Sequence, residues 1–280
     1  KEKKFFEKHG LDVTVSNFTS GRAALEATLA GGADIATTAE APITAAAMAK
    51  QKIAFLCRME YSDLKTLAIS GIAKPADLKG KRLGYAAGTG SEVYTLTLLK
   101  QAGLGKSDVT LVNLRPQDMA AALATHSIDA MNIWEPHIAN AKKLLAAKAK
   151  ELDTKGVYAE TFNIVAMRDY LGANGDTVTR FLRALIDAEQ WMKANRAAAI
   201  AVVADAVNMK HEELAPLWGD FVYEVVIDDK TFDVLTAHAQ WRLDTGNAPG
   251  GVTALPDFKT IMAAAPLKSI APARVKAAGL

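Results

Sequence analysis

A short apolar run, a turn of small residues and a helical pattern follow one another repeatedly along this chain. That order restricts it to an α/β fold in which strands are carried between helices. The clearest unit runs from a strand pattern over Lys81–Ala86 through the loop Gly88-Thr-Gly-Ser91 into a helical pattern over Glu92–Ala102, stopped by Gly103. Two earlier units read alike. Leu11–Asn17 alternates like a strand before Phe18-Thr-Ser-Gly21 turns into a helix over Arg22–Ala30, and Asp34–Ala36 reads as a short strand before Thr37–Pro42 leads into a helix over Ile43–Lys50. Farther along, Asp108–Leu114 and Ile128–Ile133 are strands, Met119–Thr125 is a helix opened by Pro116, and Trp134-Glu-Pro136 opens a helix through Lys150. The alternation predicts parallel βαβ units. After a strand over Phe162–Met167 only helical patterns follow: Asp176–Asn195, Arg196–Ala206, His211–Asp220 and Asp229–Leu243.

The linker Gly71–Gly80 and the return near Thr161 bracket an inserted stretch of about 90 residues, an ordinary domain size. The expected organisation is therefore a first lobe from 1–70 and 161–280, a second lobe from 71–160, two strands joining them, a cleft between them and a helical C-terminal part. The 280 residues suit one large domain or two compact ones at about 150 residues per domain. With 50% hydrophobic and 23% charged residues, and alanine at roughly one residue in five, the composition is that of a helix-rich globular protein.

Charge and motif content narrow the function. Thirty-three Lys plus Arg face 31 Asp plus Glu, a net charge of +2, with no basic stripe for a phosphate backbone, so nucleic acid is not expected as a partner. The single cysteine, Cys57, lies beside the apolar run Ile53–Leu56 and reads as a buried, inert thiol. No apolar stretch approaches the ~20 residues of a membrane span, and the N-terminus lacks the apolar region of a secretory signal. The opening Lys1–Gly10 reads as the last turns of an amphipathic helix ending at a glycine. The five histidines, His9, His126, His137, His211 and His238, have no HxxxH or HExxH spacing, so no metal is expected. Gly88-x-Gly90 falls short of a dinucleotide fingerprint because Val93 stands where the third glycine belongs, and no Gly-Lys-Ser/Thr ending marks a phosphate loop. Ser91 has no nucleophile-elbow context, and no catalytic residue and no cofactor are assigned.

Four loops lie where parallel sheets bind ligands, at strand ends feeding helix N-termini: Thr19-Ser-Gly21-Arg22, Thr37-Thr-Ala-Glu40, Gly88-Thr-Gly-Ser91 and Asn132-Ile-Trp134-Glu135-Pro136. Hydroxyls and backbone N–H groups without a dedicated base suit oxyanion binding better than catalysis. Ser and Thr are also the residues preferred as helix caps, so each loop alone has a purely structural reading. Trp134 is either a flat ligand wall or a core aromatic. Glu40, Glu92 and Glu135 are either inward-facing acceptors or first-turn acids favoured by the helix dipole.

The ordered series Phe5-Phe-Glu-Lys-His-Gly-Leu-Asp-Val13, Ser20-Gly-Arg22, Gly32-Ala-Asp34-Ile-Ala-Thr37 and Glu40-Ala-Pro42 resembles the substrate-binding proteins of ABC importers for aliphatic sulfonates, taurine and nitrate. So do Asp77–Arg82, Gly88-Thr-Gly-Ser91, Leu114-x-Pro116-x-Asp118 and Trp134-Glu-Pro136. The family is also related to proteins that bind the pyrimidine precursor of thiamine. The resemblance covers most of Phe5–Asn195. It implies a type II periplasmic binding protein fold and a monomeric receptor, periplasmic or lipid-anchored outside the cytoplasm, whose signal peptide lies outside this chain. Such a receptor closes on a small solute and delivers it to a membrane permease. It also implies one more strand and loop ahead of Lys1.

Carried over residue by residue, the resemblance assigns ligand contacts to Ser20, Gly21, Arg22, Thr38, Glu40, Thr89, Gly90, Ser91, Trp134 and Glu135. Thr89 and Ser91 are the expected seat of a sulfonate- or carboxylate-like head, because hydroxyls and N–H groups converge at one helix N-terminus. Inward-facing Glu40 and Glu135 would favour a ligand that also carries an amine. Three alternatives stay open: a receptor for a thiamine-type pyrimidine or aromatic acid, a sensor, and a same-fold enzyme. The cysteine-rich iron motif of the pyrimidine-precursor synthase has no counterpart in a chain whose sole thiol is Cys57.

Overall fold

Apolar residues in this chain come in short blocks that bury as strands. A computed structural model describes all of Lys1–Leu280 as two units: Lys1–Tyr61 with Thr161–Leu280, and Ser62–Glu160. The first unit contains a four-stranded sheet, built from β1 (Ile35–Ala39), the first part of β2 (Ile53–Asp63), most of β8 (Ala159–Met167) and β9 (Phe221–Val226), in the order β1-β8-β2-β9. The second contains a five-stranded sheet of β3 (Lys65–Ile69), β4 (Arg82–Tyr85), β5 (Thr110–Asn113), β6 (Ala130–Ile133) and β7 (Ala149–Glu151), in the order β5-β4-β6-β3-β7. The chain leaves the first unit at Tyr61, within β2 and ahead of the Gly71–Gly80 linker where the sequence suggested the boundary. β3 pairs with β6 and β7, so it belongs to the second unit although its apolar run follows β2 closely.

Helices in chain order are α1 (Phe5–Lys8), α2 (Gly21–Leu29) and α3 (Glu40–Met48) in the first unit, and α4 (Gly90–Gln101), α5 (Met119–Ala124) and α6 (His137–Leu145) in the second. The first unit then resumes with α7 (Arg168–Ala173), α8 (Gly175–Ala194), α9 (Arg196–Ala206), α10 (His211–Leu214), α11 (Asp229–Asp244) and α12 (Ala264–Ile270). Its core is a continuous apolar cluster that includes Ile53–Cys57, Ile164–Ala166, Ile43, Val178, Leu182 and Leu235. Burial pushes the Cys57 thiol upward and keeps it protonated. The second unit packs two apolar clusters, one around Leu64, Leu83, Leu98 and Leu99 and the other around Leu67, Met119, Met131 and Ile133.

Four expectations need correction. Leu11–Asn17 is irregular, with Val15 54% exposed, because alternation yields a strand only where a neighbour supplies ladder hydrogen bonds. The sheets are not uniformly parallel. β4 runs parallel to β5 and β6, whereas β3 is antiparallel to β6 and β7, and β1 to β8. The helix opened near Pro136 ends at Leu145, where Ala146 turns at φ 48°, and the chain re-enters the sheet as β7. Finally, Phe221–Val226 forms β9, and His211–Asp220 divides into α10 and a 3-10 turn over Leu217–Asp220.

Candidate functional site

In the first unit, Ser20 caps α2 by accepting a hydrogen bond from the Ala23 N–H at 3.3 Å. Gly21 begins that helix where no side chain fits, because a Cβ there would stand 2.8 Å from Thr38 Cα and 3.0 Å from the Ala39 nitrogen. The absence of a side chain lets the start of α2 lie against the end of β1. Arg22 is exposed and pairs with Glu26 one turn along, Nε to Oε1 at 2.8 Å.

Thr38 stands directly opposite Asn163 in the antiparallel β1–β8 ladder. Both are buried, and Thr38 Oγ1 and Asn163 Oδ1 have no hydrogen-bond partner in the protein. The Asn163 amide is otherwise anchored, since its Nδ2 donates to the Thr38 and Thr161 carbonyls at 3.3 Å and to Thr161 Oγ1 at 3.1 Å. Glu40 heads α3, with Oε2 accepting from both the N–H and the hydroxyl of Thr161 at 2.7 Å. Burial is the dominant influence on its carboxyl and pushes the pKa up to about 7, against the opposing pull of those hydrogen bonds. Thr38, Glu40, Thr161 and Asn163 thus form one buried polar cluster between β1, β8 and the start of α3, with two oxygens left to be satisfied.

The second unit holds the other predicted residues, and here the geometry redirects several of them. Thr89 caps α4, accepting from the Ser91 N–H at 3.2 Å and donating to the Ala86 carbonyl at 2.8 Å. The Ser91 hydroxyl donates to the Asn132 carbonyl at 2.6 Å and accepts from the Ala86 N–H at 2.9 Å. It ties the end of β4 to the end of β6 and does not offer itself as the seat of an anion. A Cβ at Gly90 would fall 2.4 Å from Glu160 Oε1 and 3.2 Å from Tyr158 Cε1, so the first turn of α4 already faces a carboxylate. Both features run against a bare anionic head at this helix end.

Glu135 is buried and internally paired: Oε1 accepts from Lys65 Nζ and Oε2 from the Ala139 N–H, each at 2.9 Å. Trp134 is half-buried, packs on both apolar clusters of the unit and sets its ring against His137 at 6.1 Å and 73°. Behind these residues, Asn132 accepts from the Thr66 hydroxyl at 2.7 Å and donates to Thr95 Oγ1 at 3.0 Å, while Tyr94 Oη lies 2.7 Å from both Thr66 Oγ1 and Thr154 Oγ1. Burial pushes the Tyr94 phenol up to about 12. This network ties β3 and β6 to α4 and leaves little polar capacity unused.

The structure therefore gathers Thr38 and Glu40 into one cluster with Thr161 and Asn163, which sequence reasoning missed. Their signal was present as two polar residues, Thr161 and Asn163, at period-2 spacing in a strand that, apart from Glu160, is otherwise apolar. No group of three or more His, Cys, Asp or Glu is arranged to hold a metal ion.

Two α/β units traversed by two shared strands define the periplasmic binding protein fold, and comparison with known proteins supports it. The NMT1/THI5 like family matches residues 1–199, and the chain belongs to that family. Among its relatives, a Brucella abortus protein named only as a binding protein is 28% identical over 219 residues, 75% of this chain and 68% of its own. The Escherichia coli taurine-binding periplasmic protein is 28% identical over 195 residues, 68% of this chain and 61% of its own. Among solved structures, the alkanesulfonate-binding protein SsuA from Xanthomonas axonopodis pv. citri, bound to MOPS, superposes with a TM-score of 0.82 at 21% identity, covering 94% of this chain and 92% of that one. The desulfurization enzyme DSZB, in complex with biphenyl-2-sulfinic acid, has the same fold with a TM-score of 0.70 at 16% identity, covering 96% of this chain and 93% of that one.

Proposed function

We propose that this chain is the extracytoplasmic solute receptor of an ABC importer and binds a small sulfonate of the taurine or alkanesulfonate type, without chemical conversion. The observation that carries this reading is the pair of buried, unpartnered oxygens, Thr38 Oγ1 and Asn163 Oδ1, on facing residues of β1 and β8. Leaving both unsatisfied costs roughly 1–3 kcal/mol each, and a solute with matching polar groups would recover that. The Thr38 hydroxyl can donate to a sulfonate oxygen. Asn163 Oδ1 can only accept, and with Glu40 beside it this end of the cluster favours an N–H donor on the solute. An aminosulfonate carries both groups.

Ser20, Arg22 and Trp134 remain candidate contacts, with Gly21 and Gly90 permitting close backbone approach; Thr89, Ser91 and Glu135, whose side chains are bonded internally, act as supports for the loops that hold them. The relatives named as sulfonate- and taurine-binding proteins support the substrate class and the periplasmic location. An ABC permease in the membrane is the proposed partner. The test is calorimetric titration with taurine, methanesulfonate, nitrate and 4-amino-5-hydroxymethyl-2-methylpyrimidine. Saturable binding of taurine or methanesulfonate supports the proposal. Heat from the pyrimidine alone would replace it with a heterocycle receptor, and sulfite release from an aromatic sulfinate would make the chain an enzyme.

A further inference from the structure

A cavity lies in the first unit, lined by residues well away in sequence from the cluster just described. It has a volume of about 410 Å³, within the ordinary range for a small-molecule site, and is walled by α8, α9 and the segment Trp218–Glu224. One wall is aromatic: the Tyr223 ring packs on Trp218 at 5.2 Å and stacks on Phe221 at 6.1 Å with 15° between planes. The lining also carries Lys193 and Arg196.

The charges here are unequal in what they already do. Glu224, the one acid in the lining, has Lys276 Nζ at 2.9 Å and the Arg58 guanidinium at 3.8 Å. Lys193 pairs at 2.5 Å with Glu189, and that carboxylate also receives the Arg274 guanidinium at 2.7 Å. Glu189 thus faces two cations, while Glu224 is matched by Lys276, since the Arg58 guanidinium is held by Asp228 at 2.5 Å. Arg196 is exposed and makes no salt bridge or side-chain hydrogen bond, so its charge is uncompensated at the rim. It also stands at the first position of α9, where a cation opposes the helix dipole, and Asn195 makes no capping hydrogen bond to that first turn. Both the guanidinium and the free amide end of α9 favour an anion there, while Lys193 in the last turn of α8 offsets the carbonyl end of that helix.

We infer that this cavity is a second ligand site, for an organic anion with a planar apolar body. The body would lie against the Trp218, Phe221 and Tyr223 rings and the anionic group against Arg196 and Lys193. Nothing in this inference depends on the solute site at Thr38 and Asn163.

The four tryptophans, Trp134, Trp191, Trp218 and Trp241, allow the two sites to be read in one experiment. The protein is labelled with 5-fluorotryptophan, its four fluorine resonances are assigned by single Trp→Phe variants, and 1-naphthalenesulfonate is titrated against 1-naphthalenemethanol as the uncharged analogue. The expected result is a saturable shift of the Trp218 resonance by the sulfonate, weakened at least tenfold by Arg196→Glu and severalfold by Arg196→Ala. The alcohol should bind weakly and equally to all three proteins. Glutamate suits the first turn of α9 better than arginine does, so loss of the shift in Arg196→Glu cannot be ascribed to unfolding, and the unchanged melting temperature verifies this. The inference is overturned if Trp218 does not respond, if the sulfonate and alcohol bind alike, or if the Arg196 variants bind like the parent. A response of Trp134 alone would overturn it while leaving the proposed solute receptor intact.

Discussion

The Glu40 carboxylate receives both hydrogen bonds that Thr161 can donate, from N–H and from Oγ1, each at 2.7 Å. This double contact joins the first residue of α3 to β8 inside a fully buried site, and burial raises the Glu40 pKa to about 7 from an ordinary 4.5. With the folded pKa above the unfolded one, the native state holds the extra proton between about pH 4.5 and 7. The stability from this group is complete below pH 4.5 and is lost as pH rises through 7. Glu40→Gln keeps an oxygen to accept from Thr161 and removes the ionisation. It should leave the unfolding free energy in urea nearly unchanged at pH 4.5 and raise it at pH 8, by on the order of 3 kcal/mol. Equal effects at both pH values would show that Glu40 is not held near neutrality.

His238 has the opposite pH signature. It is buried on α11 beside Trp241, neither ring nitrogen has a partner, and burial, followed by the nearby Arg242 charge, lowers its pKa to about 3. The unfolded chain therefore binds a proton that the native state refuses, and stability falls as pH drops from about 6.5 toward 3. His238→Leu removes that loss while keeping an apolar side chain of similar bulk. The variant should melt at the higher temperature of the two at pH 4, and the difference should shrink by pH 8. Parallel melting curves from pH 4 to 8 would refute the assignment.

Legibility differed between elements for physical reasons. The Gly88–Gly103 unit was readable because a cap, a helical period and a stop signal all lie within a short stretch; the helix begins at Gly90, two residues ahead of the expected Glu92, with Thr89 as its cap. Residues 11–17 have strand periodicity without a ladder, and only the pairing partner decides that. β9 has the aromatic and β-branched residues of a strand, Phe221-Val-Tyr-Glu-Val-Val226, but stands among helical patterns that hid it. At the candidate site, residue type was the wrong guide to availability. Ser91 looks like a ligand hydroxyl until its two internal partners are seen, whereas Asn163 lies in a core strand and yet keeps an oxygen without a partner.

Gly21 tests the close approach of α2 to β1. An alanine there would bring Cβ to 2.8 Å from Thr38 Cα, a contact with backbone that no rotamer relieves, so the helix start or the strand end must shift. Gly21→Ala is expected to cost about 1–3 kcal/mol in denaturant unfolding and to weaken solute binding by displacing Thr38. The control is Gly175→Ala at the start of α8, where a Cβ meets nothing within 4 Å and stability should hold. Identical unfolding midpoints for the two variants would mean that α2 and β1 have room to spare.

Thr38→Val separates stability from binding. The buried Oγ1 has no partner, so exchanging it for a methyl group of nearly the same shape removes a desolvated polar atom and breaks no hydrogen bond. The unliganded protein should gain up to about 1–2 kcal/mol of stability. If that hydroxyl donates to a sulfonate oxygen, taurine affinity measured by calorimetry should fall at least tenfold in the same variant, and the thermal stabilisation by saturating taurine should shrink with it. A destabilised variant that binds taurine normally would reverse both statements: Thr38 would then be part of the packing, and the solute would be held elsewhere.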